Sequence, residues 1–358
     1  MAAKQHVVVV GSGIVGASIA WHLTRDGAAV TVIAADVGGV ATRHSFAWIN
    51  ASWGNPQFYF HFRRRSMAEW KRLAREIPGL PLSWCGGICW DLPPDRLEAF
   101  AVEHASWGYG VEWLDRAAIT AREPYLKQPP DSALLAAEEG AVEPVAAARL
   151  LLADAEARGA KFVNAAVDGF IRSGERISGV VSSAGIVEAD HVVLAAGTGS
   201  VPLAASVGVT LPLEAPPGLI VHSRPFEKRL NGLVMATSLH MRQTTDSRII
   251  AGSDFGGAEP GADQYATAVG LFAKAKESLT ESGQLSMEFF TVGYRPTPKD
   301  GLPIIGNCGQ IGLYIAVMHS GVTLAPLVGL LASKEILSGD ADPSLASFRL
   351  GRFHCPDS

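Results

Sequence analysis

Gly11, Gly13 and Gly16 form the pattern G-x-G-x-x-G, directly after the apolar run His6-Val7-Val8-Val9-Val10 and directly before a stretch of helical periodicity. Glycines at this spacing can hold the pyrophosphate of a dinucleotide. Gly11 allows the tight strand-to-helix turn. Gly13 has no Cβ, so a phosphate can approach the backbone. Gly16 lets the helix pack closely on the strand. The helix that begins at Ile14 and Val15 offers free N–H groups and a partial positive charge to the phosphates. A second glycine turn, Ala195-Ala196-Gly197, ends another apolar run, Ala189-Asp190-His191-Val192-Val193-Leu194, far along the chain. No such second turn is needed to bind a simple nicotinamide cofactor.

The elements around the first turn support this reading. Ile19, Ala20 and Leu23 fall on one helical face, and Gly27 precedes a second strand, Ala29-Val30-Thr31-Val32-Ile33. A loop of small and polar residues spans 36–56. The spacing of Phe58, Phe62, Met67, Trp70 and Leu73 predicts a long helix over 57–77, ended by Pro78-Gly79. Strands are expected over 82–90 and 133–137, with a helix over 93–104 between them. A helix over 145–158, opened by Glu143-Pro144, leads to short strands at 161–163, 169–171 and 177–183, and then to a strand that starts at 189 and runs into the glycine turn at 197. Residues 211–253 read mostly as strand. A helix over 262–279, strands at 289–294, 302–306 and 313–317, and a last helix over 321–337 complete the chain. No internal repeat is visible.

At 358 residues two domains are expected. The formal charge of −5 gives no basic field, so nucleic acid is not an expected partner. The one basic run, Arg63-Arg64-Arg65, reads as a solvated helix face, with a phosphate or partner site as the alternative. No apolar run of membrane-spanning length stands out. The opening valines read as a strand of the mature domain rather than a signal peptide, so a cytoplasmic location is expected. Cys85, Cys89, Cys308 and Cys355 are few and scattered. They suggest neither a disulfide framework nor a metal site.

Four pieces, in order, carry a family resemblance. They are Gly11 to Gly16, the Glu143-Pro144 helix start, Asp190 to Gly197, and the run Gly293-Tyr294-Arg295-Pro296-Thr297-Pro298-Lys299-Asp300-Gly301-Leu302-Pro303-Ile304-Ile305-Gly306. The chain resembles the D-amino acid oxidase superfamily of FAD-dependent oxidoreductases, which includes glycine oxidase, sarcosine oxidase and D-amino acid dehydrogenase. The resemblance implies an α/β fold, α+β in total. A Rossmann-type FAD-binding domain would come from residues 1–80, 141–210 and 290–358. An inserted, largely antiparallel β substrate domain would come from 81–140 and 211–289.

The same resemblance assigns roles. Ala196 and Gly197 would contact FAD beside the first turn. Thr42 and Ser45 lie in the segment that reaches over the pyrophosphate and flavin ring. Gly321 and Thr323 open the last helix, whose N-terminus faces the pyrimidine end of the flavin. Arg295 holds the position whose guanidinium clamps a substrate carboxylate, and a planar fork suits two carboxylate oxygens. The alternative for Arg295 is a structural pair with Asp300. Tyr294 and Arg242 are further candidates for the pocket wall; solvent exposure is the other reading for Arg242, which shares a strand face with His240. His319 is offset from the family's histidine position. It either contacts flavin or substrate or is an ordinary loop histidine.

Two departures stand out. The second strand ends in Ala34-Ala35, where such domains carry an acid for the ribose hydroxyls. Either Asp36 curls back or the ribose is held otherwise. At the position where sarcosine oxidases attach flavin to cysteine stands Gly293, so FAD is expected to be non-covalent. The expected reaction is oxidation of the C–N bond of an amino acid or N-substituted amino acid, by hydride transfer to flavin N5 and hydrolysis of the imine. The electron acceptor is oxygen, a quinone or a partner subunit. The alternative is a flavin-binding subunit of a heteromeric dehydrogenase, with an electron-relay or structural role.

Overall fold

A computed structural model describes residues 4–52, 54–254 and 256–353. A six-stranded sheet has the order Ile304–Asn307, Leu313–Val317, His191–Leu194, His6–Val10, Ala29–Ala34, Lys161–Asn164. All pairings are parallel except that of Ile304–Asn307. The valines explain the central place of the first strand. Val7 and Val9 enter one core, Val8 and Val10 the other, so both faces are covered by protein. On one face the helix Ile14–Arg25 packs against the terminal helix Gly321–Ser338 and the helix Pro144–Ala157. A three-stranded antiparallel sheet, residues 167–188, packs over the other.

The second layer is an eight-stranded sheet in the order Met287–Tyr294, Pro217–Ser223, Ile249–Gly252, Leu239–Gln243, Leu233–Ala236, Gly87–Cys89, Ser132–Ala136, Val111–Asp115. It is antiparallel except where Gly87–Cys89 meets Leu233–Ala236. The helix Gln264–Glu277 covers it, capped by Asp263, whose carboxylate accepts from Ala266 N at 2.9 Å. The mixed α/β class is therefore as expected.

Local differences have local causes. The strand expected over 82–90 is two strands. Leu82–Ser83 pairs with Gly140–Val142, and Gly87–Cys89 joins the large sheet. Gly86, at φ +74°, makes the turn between them. Residues 290–294, grouped above with the FAD-binding portion, complete an edge strand of the antiparallel sheet. The terminal helix is, among the described residues, the one helix long and apolar enough to cross a membrane. It is 67% buried inside the molecule, which is where a core helix gets its apolar surface. Cys355 lies outside the described residues.

Candidate functional site

A cavity of about 1120 Å³ opens at the C-terminal ends of the parallel strands and extends to the antiparallel sheet at Ile220. Both glycine turns line it. Gly11 has φ +108°, and a Cβ there would lie 2.5 Å from the carbonyl oxygen of Ala195, so the two turns are packed together. A Cβ on Gly16 would run into the Gly11 carbonyl. Gly13, the N-cap of the first helix, offers no side-chain acceptor to the N–H groups behind it. Ile14, Val15, Ala196 and Gly197 also line the cavity.

The loop residues fall into place around this turn. Thr42 Oγ1 accepts from Ile14 N at 3.1 Å, which ties the 40–46 segment to the first helix and turns the hydroxyl into the cavity wall. Ser45 Oγ accepts from Ala47 N at 3.0 Å. Asp36 lines the cavity, but its carboxylate is 66% exposed and paired with Arg43. The backbone carbonyl of Asp36 accepts from Ser12 Oγ. Asp36 remains the first acid after the second strand, and Asp36→Ala is expected to weaken FAD binding by about tenfold, the scale of one charged hydrogen bond. Titration of apoprotein with FAD measures this; unchanged affinity shows that the ribose is held elsewhere.

The terminal helix adds a second N-terminus. Ser320, with φ +58°, is its N-cap and makes no side-chain cap. Gly321 and Thr323 line the cavity. Thr323 Oγ1 donates to Trp48 O at 3.2 Å and accepts from Asn50 N at 3.3 Å. The Thr323 hydroxyl thus fixes the short strand Trp48–Ile49 and Asn50 against the helix start. Sequence reasoning missed this segment because nothing in Trp48-Ile49-Asn50 signals that it lines a cavity.

Arg295 also lines the cavity. Its Nη2 donates to Pro217 O at 3.4 Å, and its Nε is buried with no hydrogen-bond partner among the described residues. Burial lowers its pKa, against the pull of Asp254 and Glu259. Gly256 makes room for it, since a Cβ there would strike the guanidinium. Asp300 is engaged by Arg352 at 2.6 Å, so the Arg295–Asp300 pair does not form. His44 Nδ1 is a second buried atom on the cavity wall without a partner among the described residues. His319 lies beside Ser320, with Nδ1 2.9 Å from Oγ. Burial, then Arg295 and Arg63, push it down to about 4, so the imidazole is neutral at pH 7.

Two candidates from the sequence stand elsewhere. Arg242 is neither exposed nor in this cavity. It is 4% exposed and donates to Glu143 Oε1 at 2.9 Å and Phe46 O at 2.7 Å, which fastens the antiparallel sheet to the helix at Pro144. His240 shares its strand and lies 3.1 Å from Asp91. Tyr294 is 50% exposed, because strand alternation turns Gly293 inward and Tyr294 out. The basic run also divides. Arg64 pairs with Glu138 and Arg65 with Asp342, whereas Arg63 is 5% exposed and lines the cavity. It is not part of a solvated face.

Behind the wall lies Glu139, with no exposed surface. It accepts from Trp48 Nε1 at 2.8 Å, Tyr109 OH at 2.7 Å and Ser52 Oγ. Burial outweighs these donors and raises the carboxyl from 4.5 to about 7. An acid whose folded pKa lies above its unfolded one stabilises the fold fully below the unfolded value. That contribution is lost as pH rises through the folded value. The melting temperature of the wild type is therefore expected to fall relative to Glu139→Gln between about pH 4.5 and 7. A pH-independent difference between the two proteins contradicts this.

A cavity lined by two packed glycine turns and two helix N-termini, with the unsatisfied nitrogens of Arg295 and His44 on its wall, suits a long anionic dinucleotide. Residues 6–335 match the DAO family, described as FAD-dependent oxidoreductase. The chain belongs to this FAD-dependent oxidoreductase family. It is 26% identical over 97% of its length to the bifunctional protein ThiO/ThiG of Nostoc sp., of which it spans 55%. It is also 26% identical to an opine oxidase subunit of Agrobacterium tumefaciens, over 97% of each chain. Its fold is that of glycine oxidase from Geobacillus kaustophilus, with a TM-score of 0.87, 24% identity and coverage of 98% and 99%. L-proline dehydrogenase from P. horikoshii shares it too, with a TM-score of 0.85, 24% identity and coverage of 99% of each chain. The family cofactor is FAD. The Gly11–Gly16 turn and the first helix would hold its pyrophosphate.

Proposed function

We propose that this chain oxidises the C–N bond of an amino acid or N-substituted amino acid bearing a free carboxylate. The observation that carries the reading is Arg295. It is a guanidinium in the wall of the dinucleotide cavity, with no ion-pair partner among the described residues and one nitrogen unsatisfied. A half-buried cation in that state, with its Nε buried and unsatisfied, favours an anionic ligand. Its planar fork selects a carboxylate over a point-like anion.

FAD, when bound, supplies the two-electron acceptor. The protein holds the substrate. Arg295 fixes the carboxylate, Gly256 leaves space beside the guanidinium, and neutral His319 borders the same pocket without adding a charge to repel an amine. With the carboxylate anchored, the α C–H can be turned towards the cofactor and lost as hydride once the amine is neutral. The resulting imine takes up one water and gives a 2-oxo acid with ammonia, or with a primary amine where the nitrogen carried a substituent. The cofactor is held non-covalently in this reading. A side chain at Gly293 would lie 2.5 Å from His44 Cβ, and none of the described cysteines lines the cavity.

A second reading keeps this chemistry and places the chain in a complex that passes electrons onward. Two relatives that are themselves subunits by name favour it. One is the opine oxidase subunit; the other is hydrogen cyanide synthase subunit HcnC of Pseudomonas protegens, 27% identical. Product analysis tests both. The FAD-loaded chain is incubated with amino acids and N-substituted amino acids, in air and with an artificial electron acceptor, and 2-oxo acid is trapped and counted. One oxo acid per two electrons supports the proposal. Turnover with the dye but not in air favours the second reading. No oxo acid from any carboxylate-bearing amine contradicts both.

A further inference from the structure

The run Arg63-Arg64-Arg65 holds one cation that neither the fold nor the substrate clamp accounts for. Arg64 and Arg65 are partly exposed and each has a carboxylate partner. Arg63 is 5% exposed and has no carboxylate within 4 Å among the described residues. Its Nε donates to Asn50 O at 3.1 Å, Nη2 to Asn50 Oδ1 and Nη1 to Tyr59 OH at 3.5 Å, with the guanidinium 5.4 Å above the Tyr59 ring. These neutral acceptors orient the charge without cancelling it. Burying a charge in that way is costly unless an anion completes the site.

The surroundings say where that anion belongs. Arg63 lies one helical turn before Ser66, on the helix Gln57–Glu76. Ser66 Oγ donates to Thr323 O at 2.8 Å, and Trp70 Nε1 donates to Val322 O at 3.0 Å. Asn50, which holds Arg63, also bonds Thr323. The arginine is thus built into the N-terminal turn of the terminal helix, whose dipole is itself positive there. A Cβ on Gly321 would lie 3.1 Å from Val15 Cγ2, so this turn adjoins the first helix, where the pyrophosphate is expected. Beyond it come His319 and Arg295. A cofactor whose phosphates lie at Gly13 and whose reactive ring serves a substrate on Arg295 must pass the terminal helix at Gly321.

We propose that Arg63 is a redox-tuning residue: its buried guanidinium, held by Asn50 at the start of the terminal helix, offsets the negative charge that FAD acquires on two-electron reduction. The inference rests on FAD binding and not on the substrate class. A hydride carries two electrons and one proton, so transfer to the neutral oxidised ring leaves an anion. A fixed cation beside the ring stabilises that product and raises the reduction potential.

The test needs no substrate. Sulfite, which adds to the flavin and leaves the same ring negatively charged, is titrated into wild type, Arg63→Lys and Arg63→Met, each loaded with FAD. The two-electron potential is measured against a reference dye. Arg63→Met is expected to bind sulfite about 10–100-fold more weakly. The potential is expected to fall by about 30–60 mV, that fold-change converted at about 30 mV per tenfold. Arg63→Lys is expected to retain most of both values, since it keeps the charge. Arg63→Gln, closer in shape, is read instead if the Met variant does not retain flavin. Unchanged potential and sulfite affinity in the neutral variants, with a lowered melting temperature, show a structural role and overturn the proposal. So does an unchanged potential with selective loss of affinity for dicarboxylate competitors, which places the second carboxylate of a substrate at Arg63.

Discussion

Replacing Arg295 by lysine is expected to lower affinity for carboxylate competitors by about 10–100-fold and to slow anaerobic flavin reduction, while fold and bound FAD survive. Lysine keeps the charge but loses the two-pronged geometry, and a charge-assisted hydrogen bond is worth about 1.5–3 kcal/mol. The melting temperature is expected to stay near that of the wild type. Asp300, the structural partner that the sequence suggests for Arg295, is held by Arg352 Nε at 2.6 Å and Nη2 at 3.0 Å. Competitor binding is read from perturbation of the flavin spectrum, on the same preparation used for thermal unfolding. Normal competitor affinity with a lowered melting temperature contradicts the clamp.

The second large effect is expected at Gly16. In Gly16→Ala the new methyl meets the carbonyl oxygen and carbon of Gly11, both main-chain atoms that cannot swing aside. The first helix must move off the first strand. Overpacking of this kind costs about 1–3 kcal/mol. It also opens the turn expected to receive the pyrophosphate, so FAD affinity is expected to fall by about 100-fold or more, with a lower melting temperature. Titration of the apoprotein with FAD measures it. Retained affinity shows that the phosphates are not held at this turn.

The parts of the molecule legible in the sequence are those whose physics is local. Valines 7–9 are fully buried between parallel neighbours, and a continuous β-branched run before a glycine turn signals that placement directly. The glycines are legible because only glycine fits where Gly11 and Gly16 touch main chain. Arg295 was visible through the motif around it. Arg242, Tyr294 and Arg63 were not, because their roles depend on which face of an element meets the cavity. Arg242 is buried on the antiparallel sheet, where Glu143 from a distant turn reaches it. Arg63 looks identical to Arg64 and Arg65 in sequence, yet helical rotation gives each a different environment. Glu139 carried no signal at all, since its donors come from residues 48, 52 and 109.

In the proposed reaction this single chain takes two electrons from a carboxylate-bearing amine. The most direct test of that claim is anaerobic mixing of the purified FAD-loaded chain with a panel of D- and L-amino acids, glycine and N-substituted amino acids, while the flavin spectrum is recorded. The expected result is bleaching of the oxidised flavin by at least one member of the panel, slowed in Arg295→Lys. A flavin that stays oxidised with every member, yet is reduced normally by dithionite, contradicts the claim.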